Sequence, residues 1–328
     1  MTRVAVIGAG LSGLVAAREL DKFSEVTVFE KSRGYGGRMA TRYGSDFEFD
    51  HGAQFFIARS RKFQEFLEPL IAQGVVACWH AQFAELQRHT VAATAHWDES
   101  FPHYVGAPRM NAIGRHLADG LTMRKSTTVA QLDREANGWS LIDSDGNALG
   151  QFDWVVSALP AAQAKALGPA DSLLSQLAAE VQMNACFALM LGFDQPPSLS
   201  WQAAMVHGAD ISWISVNSSK PQRAASFTLV VHSTNAYADA NLETDRGAVQ
   251  NHLLAEASEI TGIDCGRASF CQLQRWRYAN VEKRSGPACL VDAELQLAGC
   301  GDWFRHGRVE AAFCSGLEVA RKLRALIG

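Results

Sequence analysis

The chain has 328 residues, 48% of them hydrophobic and 20% charged, with a formal net charge of −4 at pH 7. That length exceeds one ordinary core and predicts two domains of about 150 residues each, and the composition is that of a soluble globular protein. The slight acidic excess, with Lys and Arg scattered, removes any electrostatic case for nucleic acid or an anionic membrane, and no run approaches the roughly 18 apolar residues of a membrane helix.

The opening segment RVAVIGAG, 3–10, reads as a fully buried strand ending in a glycine turn. LSGLVAAREL continues with Leu11, Leu14, Val15 and Leu20 at helical spacing, and EVTVFE, 25–30, is a second buried strand. The same run resembles a signal-peptide core only superficially. Gly8, Gly10 and Gly13 interrupt it, Arg3 is its only leading basic residue, and Arg18-Glu19 stands where a cleavage site belongs. A cytoplasmic location is expected.

Further along, 126–135 and 138–150 alternate like half-buried strands, with Asp145-Gly146 as a hairpin turn. FDWVVSALP, 152–160, reads as a parallel strand ended by Pro160. The middle holds a helical DSLLSQLAAEV and strand-like CFALMLGF, SWISVNS and SFTLVVHS. LQLAGCGDWF is a strand running into a turn. The last twenty residues form an amphipathic helix with Val309, Phe313, Leu317, Ala320 and Leu323 to Leu326 on its apolar face. Nucleotide-binding pieces at both ends predict a discontinuous first domain, 1–58, 109–160 and 272–328, interleaved with a second, 59–108 and 161–271.

Gly8-x-Gly10-x-x-Gly13 lies between strand and helix, the context in which this spacing carries meaning. Gly8 suits a tight turn, Gly10 lets backbone approach a pyrophosphate, and Gly13 permits close helix–sheet packing. Glu30 ends the second strand at the distance expected of a carboxylate that holds ribose hydroxyls. The segment GYGGRMAT then supplies a second pair, Gly36-Gly37, followed by Arg38 with its five donors. NAD needs no such second grip, whereas FAD has a ribityl chain and a three-ring head to steer.

Glu30, Gly36-Gly37-Arg38, the DHGAQFF segment and the closing AGCGDWF…RVEAAFCSG resemble the motifs of the flavin amine oxidase superfamily. VIGAGLSG, GGRMAT, GAQFF, QRWRYA and CGDWF resemble the renalase family within it. The resemblance implies an α/β chain with a glutathione-reductase-like FAD-binding domain and an interleaved mixed-sheet substrate domain. It implies noncovalent FAD, held by Gly8, Gly10, Leu11, Ser12 and Gly13, by Glu30 and Lys31, and by Gly37 and Arg38. Gln54 and Phe55 would run beside the flavin, Val129 would join the cofactor shell, and Asp302 would lie near the ribityl or pyrophosphate. The helix starting near Val309 would aim its positive end at flavin N1 and O2.

The implied reaction is oxidation of dihydro-NAD(P) isomers reduced at C2 or C6 by hydride transfer to flavin N5. It returns β-NAD(P)⁺ and reduces O2 to hydrogen peroxide. No side chain is assigned to catalysis, and no metal is expected. A dihydropyridine loses hydride without prior deprotonation, and the matched motifs contain no evident base. His51 is the nearest candidate and reads better as a packing or hydrogen-bonding residue. Trp303 and Phe304 occupy the closing motif where an amine oxidase would usually show paired tyrosines. On the substrate side, Ile57 and Arg59 follow GAQFF. Trp213 either stacks on a nicotinamide or fills the core, Trp276 either walls the flavin or ends a strand, and Arg308 is a diphosphate candidate. Seven cysteines without a C-x-x-C pair fit reduced thiols, with Cys300 as packing. Two rivals stay open: an amine or carotenoid-type oxidoreductase, and a flavin-holding binding protein without turnover.

Overall fold

The computed structural model describes residues 1–327. The chain divides into two compact units, Met1–Met39 with Ile113–Met183 and Asn280–Gly328, and Ala40–Ala112 with Asn184–Ala279. Residues 40–58, expected in the first unit, fall in the second, because Phe47 and Phe49 pack with Met190, Val230 and Phe270 there. Residues 161–183, expected in the second, fall in the first. Their helices Ala161–Leu167 and Leu173–Ala179 bury Ala161, Ala164, Leu174 and Ala178 in its core. The short ends 109–112 and 272–279 likewise lie in the second unit.

The first unit is built on a six-stranded sheet ordered Cys289–Asp292, Leu297–Cys300, Trp154–Ser157, Arg3–Ile7, Glu25–Glu30, Thr122–Lys125. All neighbours are parallel except the Cys289–Asp292 edge, which runs antiparallel. The central strand is buried at Val4, Ala5, Val6 and Ile7, as its unbroken apolar run requires. A three-stranded antiparallel sheet, Val129–Glu135, Gly138–Asp143 and Ala148–Phe152, packs Trp139, Leu141 and Phe152 into the same core. Its second hairpin turns at Asp145-Gly146, where the Asp143 carboxylate accepts the N–H groups of Asp145 and Asn147.

The last helix, Val309–Ile327, is the long amphipathic helix expected, with Phe313, Ala320 and Leu323 of the predicted stripe buried, but its buried face also takes in residues outside that stripe. Ser315, Gly316 and Val319 are buried, Leu317 is half-buried and Leu326 is exposed. The reason is close packing on the helix Leu11–Leu20, since a Cβ on Gly316 would run into the carbonyl of Ser12.

The second unit carries a seven-stranded mixed sheet, ordered Phe270–Asn280, Asn184–Phe193, Phe227–Ser233, Ile211–Val216, Ala203–His207, Ala81–Gln87, Thr90–Trp97. Alternation divides its side chains. Phe187, Leu189, Leu191, Ile214, Val216, Leu229 and Val231 face the helices Asn235–Ala240 and Arg246–Thr261 and form the core. The residues between them, including Trp213, Ser215, Val230 and His232, face the other way. Among the described residues no helix is long and apolar enough to cross a membrane.

Candidate functional site

In the first unit the glycine loop is shaped by contacts that leave no room for side chains. Gly8, at φ +109°, donates its N–H to Phe29 O at 2.8 Å and ties the turn to the next strand. A Cβ on Gly13 would strike the Gly8 carbonyl and lie 2.9 Å from Ala158 Cβ. Gly10 is the N-cap of the helix Leu11–Leu20 and supplies no side-chain cap, and there is no acidic residue in the first turn. A Cβ built on Gly10 would meet nothing within 4 Å. No side chain therefore caps the start of the helix, and its first N–H groups and positive dipole end are suited to a phosphate.

Glu30 is buried, and its carboxylate closes this loop from the next strand. Oε2 accepts Ala9 N–H at 2.8 Å, and Oε1 accepts Ser32 N–H at 2.8 Å and Ser32 Oγ–H at 2.7 Å. Lys31 beside it is exposed. Thr127 N–H donates to Glu30 O at 3.0 Å, and two residues on, Val129 puts its side chain into the core.

The second glycine pair has a packing reason that spacing alone does not reveal. Gly36 N–H donates to Ala9 O at 2.9 Å, and a Cβ on Gly37 would stand 3.2 Å from Gly10 Cα. Both glycines have positive φ, +96° and +56°. The second loop is thus laid directly on the first, which only residues without side chains permit. Arg38, expected on a diphosphate, turns its fork on the buried Asp302. Nη1 donates to Oδ2 at 2.8 Å and Nη2 to Oδ1 at 2.5 Å. A buried carboxylate demands such a partner. The pair joins two cofactor candidates that lie 264 positions apart.

The closing motif is mostly structural. Gly301 N–H donates to Ser315 Oγ at 2.8 Å, fixing the strand end to the last helix. Trp303 and Phe304 stack at 4.0 Å inside the core, and Trp303 Nε1–H donates to Leu159 O at 2.9 Å. They line no aromatic cage. Burial pushes the Cys300 thiol up to about 12, so it is neither a nucleophile nor a ligand at neutral pH. Val309 is half-buried at the first position of its helix and Arg308 is exposed just before it.

In the second unit, the sheet face opposite the core gathers the other candidates. Trp276 stacks on His51 with ring centroids 5.0 Å apart and donates Nε1–H to His51 O at 2.9 Å. Trp213 is buried among Phe55, Phe83 and Trp97, with centroids 5.4, 6.3 and 6.3 Å away. Its indole N–H has no hydrogen-bond partner. Phe55 and Ile57 are half-buried, and Arg59 is exposed. The Gln54 carboxamide is fully occupied within the unit. Nε2 donates to Asp50 O and Gly52 O at 2.5 and 2.9 Å, and Oε1 accepts Ser215 Oγ–H at 2.8 Å and Lys220 Nζ at 3.1 Å. Its side chain anchors the segment at Gly52, Phe56 is paired through N–H and C=O with Tyr104, and the backbone of 53–55 is left as the part a ligand could meet.

Beneath that anchor lies a charged cluster that the sequence reading does not single out. Asp50 Oδ2 accepts Arg223 Nη2 at 2.5 Å and stands 3.7 Å from Lys220 Nζ, with all three side chains buried. Asp50 Oδ1 accepts Thr41 Oγ–H at 2.8 Å and Met110 N–H at 2.9 Å. Burial alone would raise the Asp50 carboxyl, but Lys220, Arg223 and the Met110 N–H outweigh it and hold it below the usual range. Burial, with Arg223 alongside, drops Lys220 to about 7 against the pull of Asp50. His51 falls to about 3, through burial and then Arg42 and His232, and His232 to about 4, through burial and then Lys220. Both imidazoles are neutral and weakly basic at physiological pH. The available signal was Asp50, two positions ahead of Gly52 in DHGAQFF; nothing in SSKPQR marks Lys220 or Arg223.

Comparison with known proteins bears on this geometry. A model of NAD(P)-binding Rossmann-like domains matches residues 6–70, and a model of flavin containing amine oxidoreductases matches residues 59–324. The chain is 24% identical to renalase of Mus musculus, and the alignment covers 100% of both. Among solved structures, a protein from Exiguobacterium sp. 255-15 that carries the name of a protoporphyrinogen oxidase is similar with a TM-score of 0.78 at 13% identity. Cyclohexylamine oxidase from Brevibacterium oxydans IH-35A gives 0.73 at 14%. Each of these covers 99% of both chains. At such identities the two structures speak for the fold alone, an α/β chain with a Rossmann-like unit and mixed sheets.

Proposed function

The chain belongs to the flavin containing amine oxidoreductase family, and we propose that it is a FAD-dependent oxidase of dihydro-NAD(P) isomers reduced at C2 or C6. FAD held by the chain would supply the acceptor for a hydride from the dihydropyridine ring, and O2 with one solvent proton would take up the hydride equivalent, giving β-NAD(P)⁺ and hydrogen peroxide. The residues of the first unit suit that cofactor. An uncapped helix start at Gly10 to Gly13 meets a diphosphate, Glu30 lies at the neighbouring strand end for ribose hydroxyls, and the second glycine loop is laid over the first. Arg38 and Asp302, locked to each other, brace that second loop against the closing motif. Lys31, Arg59 and Arg308 are exposed cations suited to the phosphates of cofactor or substrate.

One observation carries the choice of substrate. On the aromatic face of the second unit the two imidazoles, His51 and His232, are held at about 3 and about 4. Groups so weakly basic retain almost no abstracted proton at neutral pH, and Lys220, the other titratable group beside them, is wholly buried with its Nζ committed to Gln54 and Asn217. The face is therefore suited to a flat donor that loses hydride directly, with the half-buried Trp276 and Phe55 offering rings to a nicotinamide. The full-length likeness to renalase supports the same reading. In air, each equivalent of isomeric dihydronicotinamide dinucleotide consumed should yield one equivalent of β-NAD(P)⁺ and one of peroxide. Peroxide formed with monoamines and not with the dinucleotides would overturn the proposal.

A further inference from the structure

We propose that Lys220 is a positioning residue of this oxidation. Its buried ammonium, set between Asp50 and Gln54, fixes the Gln54 carboxamide and with it the Gly52–Phe56 segment that presents the Phe55 ring. The inference rests on the proposed function for its kinetic consequence, but its structural part stands apart from it.

The geometry is that of a clamp driven from below. Lys220 Nζ donates to Gln54 Oε1 and to Asn217 Oδ1, each at 3.1 Å, and lies 5.4 Å from the centroid of the Trp79 ring. Asn217 Oδ1 also accepts Asp50 N–H at 3.2 Å, and Asn217 Nδ2 donates to Glu48 O at 2.9 Å. The ammonium thus joins the end of the Ile211–Val216 strand to both ends of the 48–54 stretch. Gln54 in turn holds the carbonyls of Asp50 and Gly52. With Oε1 committed to donors, the carboxamide has one orientation, and the backbone that follows it is set.

The charges facing Lys220 are Asp50 and Arg223, with His51 and His232 close by as neutral rings. Arg42 acts on His51, and Arg109 is paired with Glu48 farther along the same ribbon. One carboxylate against two cations leaves the cluster with an excess of positive charge when Lys220 is protonated. Burial first, with Arg223 adding to it against the pull of Asp50, brings Lys220 down from the ordinary lysine range to about 7. Hydrogen bonds from an ammonium are about twice as strong as those from a neutral amine. Protonated Lys220 adds a charge-assisted bond to the hold that Ser215 Oγ–H keeps on Gln54 Oε1 at 2.8 Å, and the deprotonated amine weakens that second hold.

The test uses the flavin-loaded full chain. Flavin reduction by a 1,6-dihydronicotinamide dinucleotide, followed anaerobically between pH 6 and 9, should slow as pH rises through about 7. In Lys220→Met the rate at pH 6.5 should fall about tenfold and the transition should vanish, with flavin still bound stoichiometrically. A Lys220→Met enzyme that keeps both the rate and the transition overturns the proposal. Side-chain amide NMR of the wild-type protein provides a reading that needs neither a variant nor a substrate. The Gln54 amide resonances should shift with a midpoint near 7, together with the Lys220 Cε signal. If Lys220 titrates and Gln54 does not respond, the clamp is refuted. If Gln54 responds but no dihydronicotinamide reduces the flavin, the clamp stands and the proposed substrate falls.

Discussion

Replacing Lys220 by methionine should make the protein more stable at neutral pH, and the gain should shrink as pH rises. The side chain is wholly buried, and its folded value of about 7 lies well below the 10.5 of a free lysine. A lysine depressed in this way costs stability in full below its folded value. The cost is relieved progressively as pH climbs from about 7 toward 10.5, because over that window the unfolded chain binds the proton and the native one does not. Linkage across that window makes the relief between pH 7 and pH 9 about 2 kcal/mol. Methionine removes the buried charge without orphaning its neighbours. Gln54 Oε1 keeps Ser215 Oγ–H, Asn217 Oδ1 keeps Asp50 N–H, and Asp50 keeps Arg223. Setting two lost hydrogen bonds of about 1 kcal/mol each against the relieved burial, the variant should gain about 2 kcal/mol at pH 7 and almost nothing at pH 9. Urea denaturation of both proteins at the two pH values measures this. A variant less stable than wild type at pH 7, or a difference equal at both pH values, would refute the reasoning. A lysine retained at such a cost is consistent with the clamp it forms under Gln54.

The remaining expectations concern the first unit. Glu30→Ala removes the buried acceptor of Ala9 N–H and the proposed ribose contact, so FAD affinity should fall at least about tenfold by equilibrium dialysis; full FAD occupancy at unchanged affinity contradicts the assignment. Arg38→Lys cannot bridge both oxygens of Asp302, and flavin should be lost on dialysis while circular dichroism is unchanged; stoichiometric yellow cofactor retained even in Arg38→Ala would show that the pair does not support the site. Gly316→Ala forces a methyl toward the Ser12 carbonyl and should cost about 1–3 kcal/mol in denaturant unfolding, whereas unaltered stability would show that the two helices part easily.

Much of the first unit was legible because its signals are local. A fully apolar strand, glycines at fixed offsets and a carboxylate at the next strand end sit within thirty residues, and the structure forms them as Arg3–Ile7, Leu11–Leu20 and Glu25–Glu30. The face of the last helix was legible at Phe313, Ala320 and Leu323, but hydrophobicity cannot show that Gly316 packs against Ser12 or that Ser315 turns inward to accept Gly301 N–H. Arg38 reads in sequence as a free cation beside a phosphate loop. Only the fold reveals its carboxylate partner at Asp302. The second unit was harder to read. Helix Arg246–Thr261 buries only a narrow stripe, Val249, Leu253, Ala257 and Ile260, and the strand Thr90–Trp97 is exposed up to its last residue. The Asp50, Lys220 and Arg223 cluster brings together residues up to 173 positions apart, so no window of sequence holds it. Trp303, which stands in the closing motif where an amine oxidase would usually show a tyrosine, lies in the core.

The central claim is that this flavin site accepts hydride from a misreduced nicotinamide ring. Single-turnover mixing of the flavin-loaded protein without oxygen tests it most directly. The flavin absorbance should bleach rapidly with a 1,2- or 1,6-dihydronicotinamide dinucleotide, hardly at all with ordinary NADH, and not with a catecholamine or simple monoamine. Bleaching by the amine while the isomeric dinucleotides leave the flavin oxidised would contradict the account.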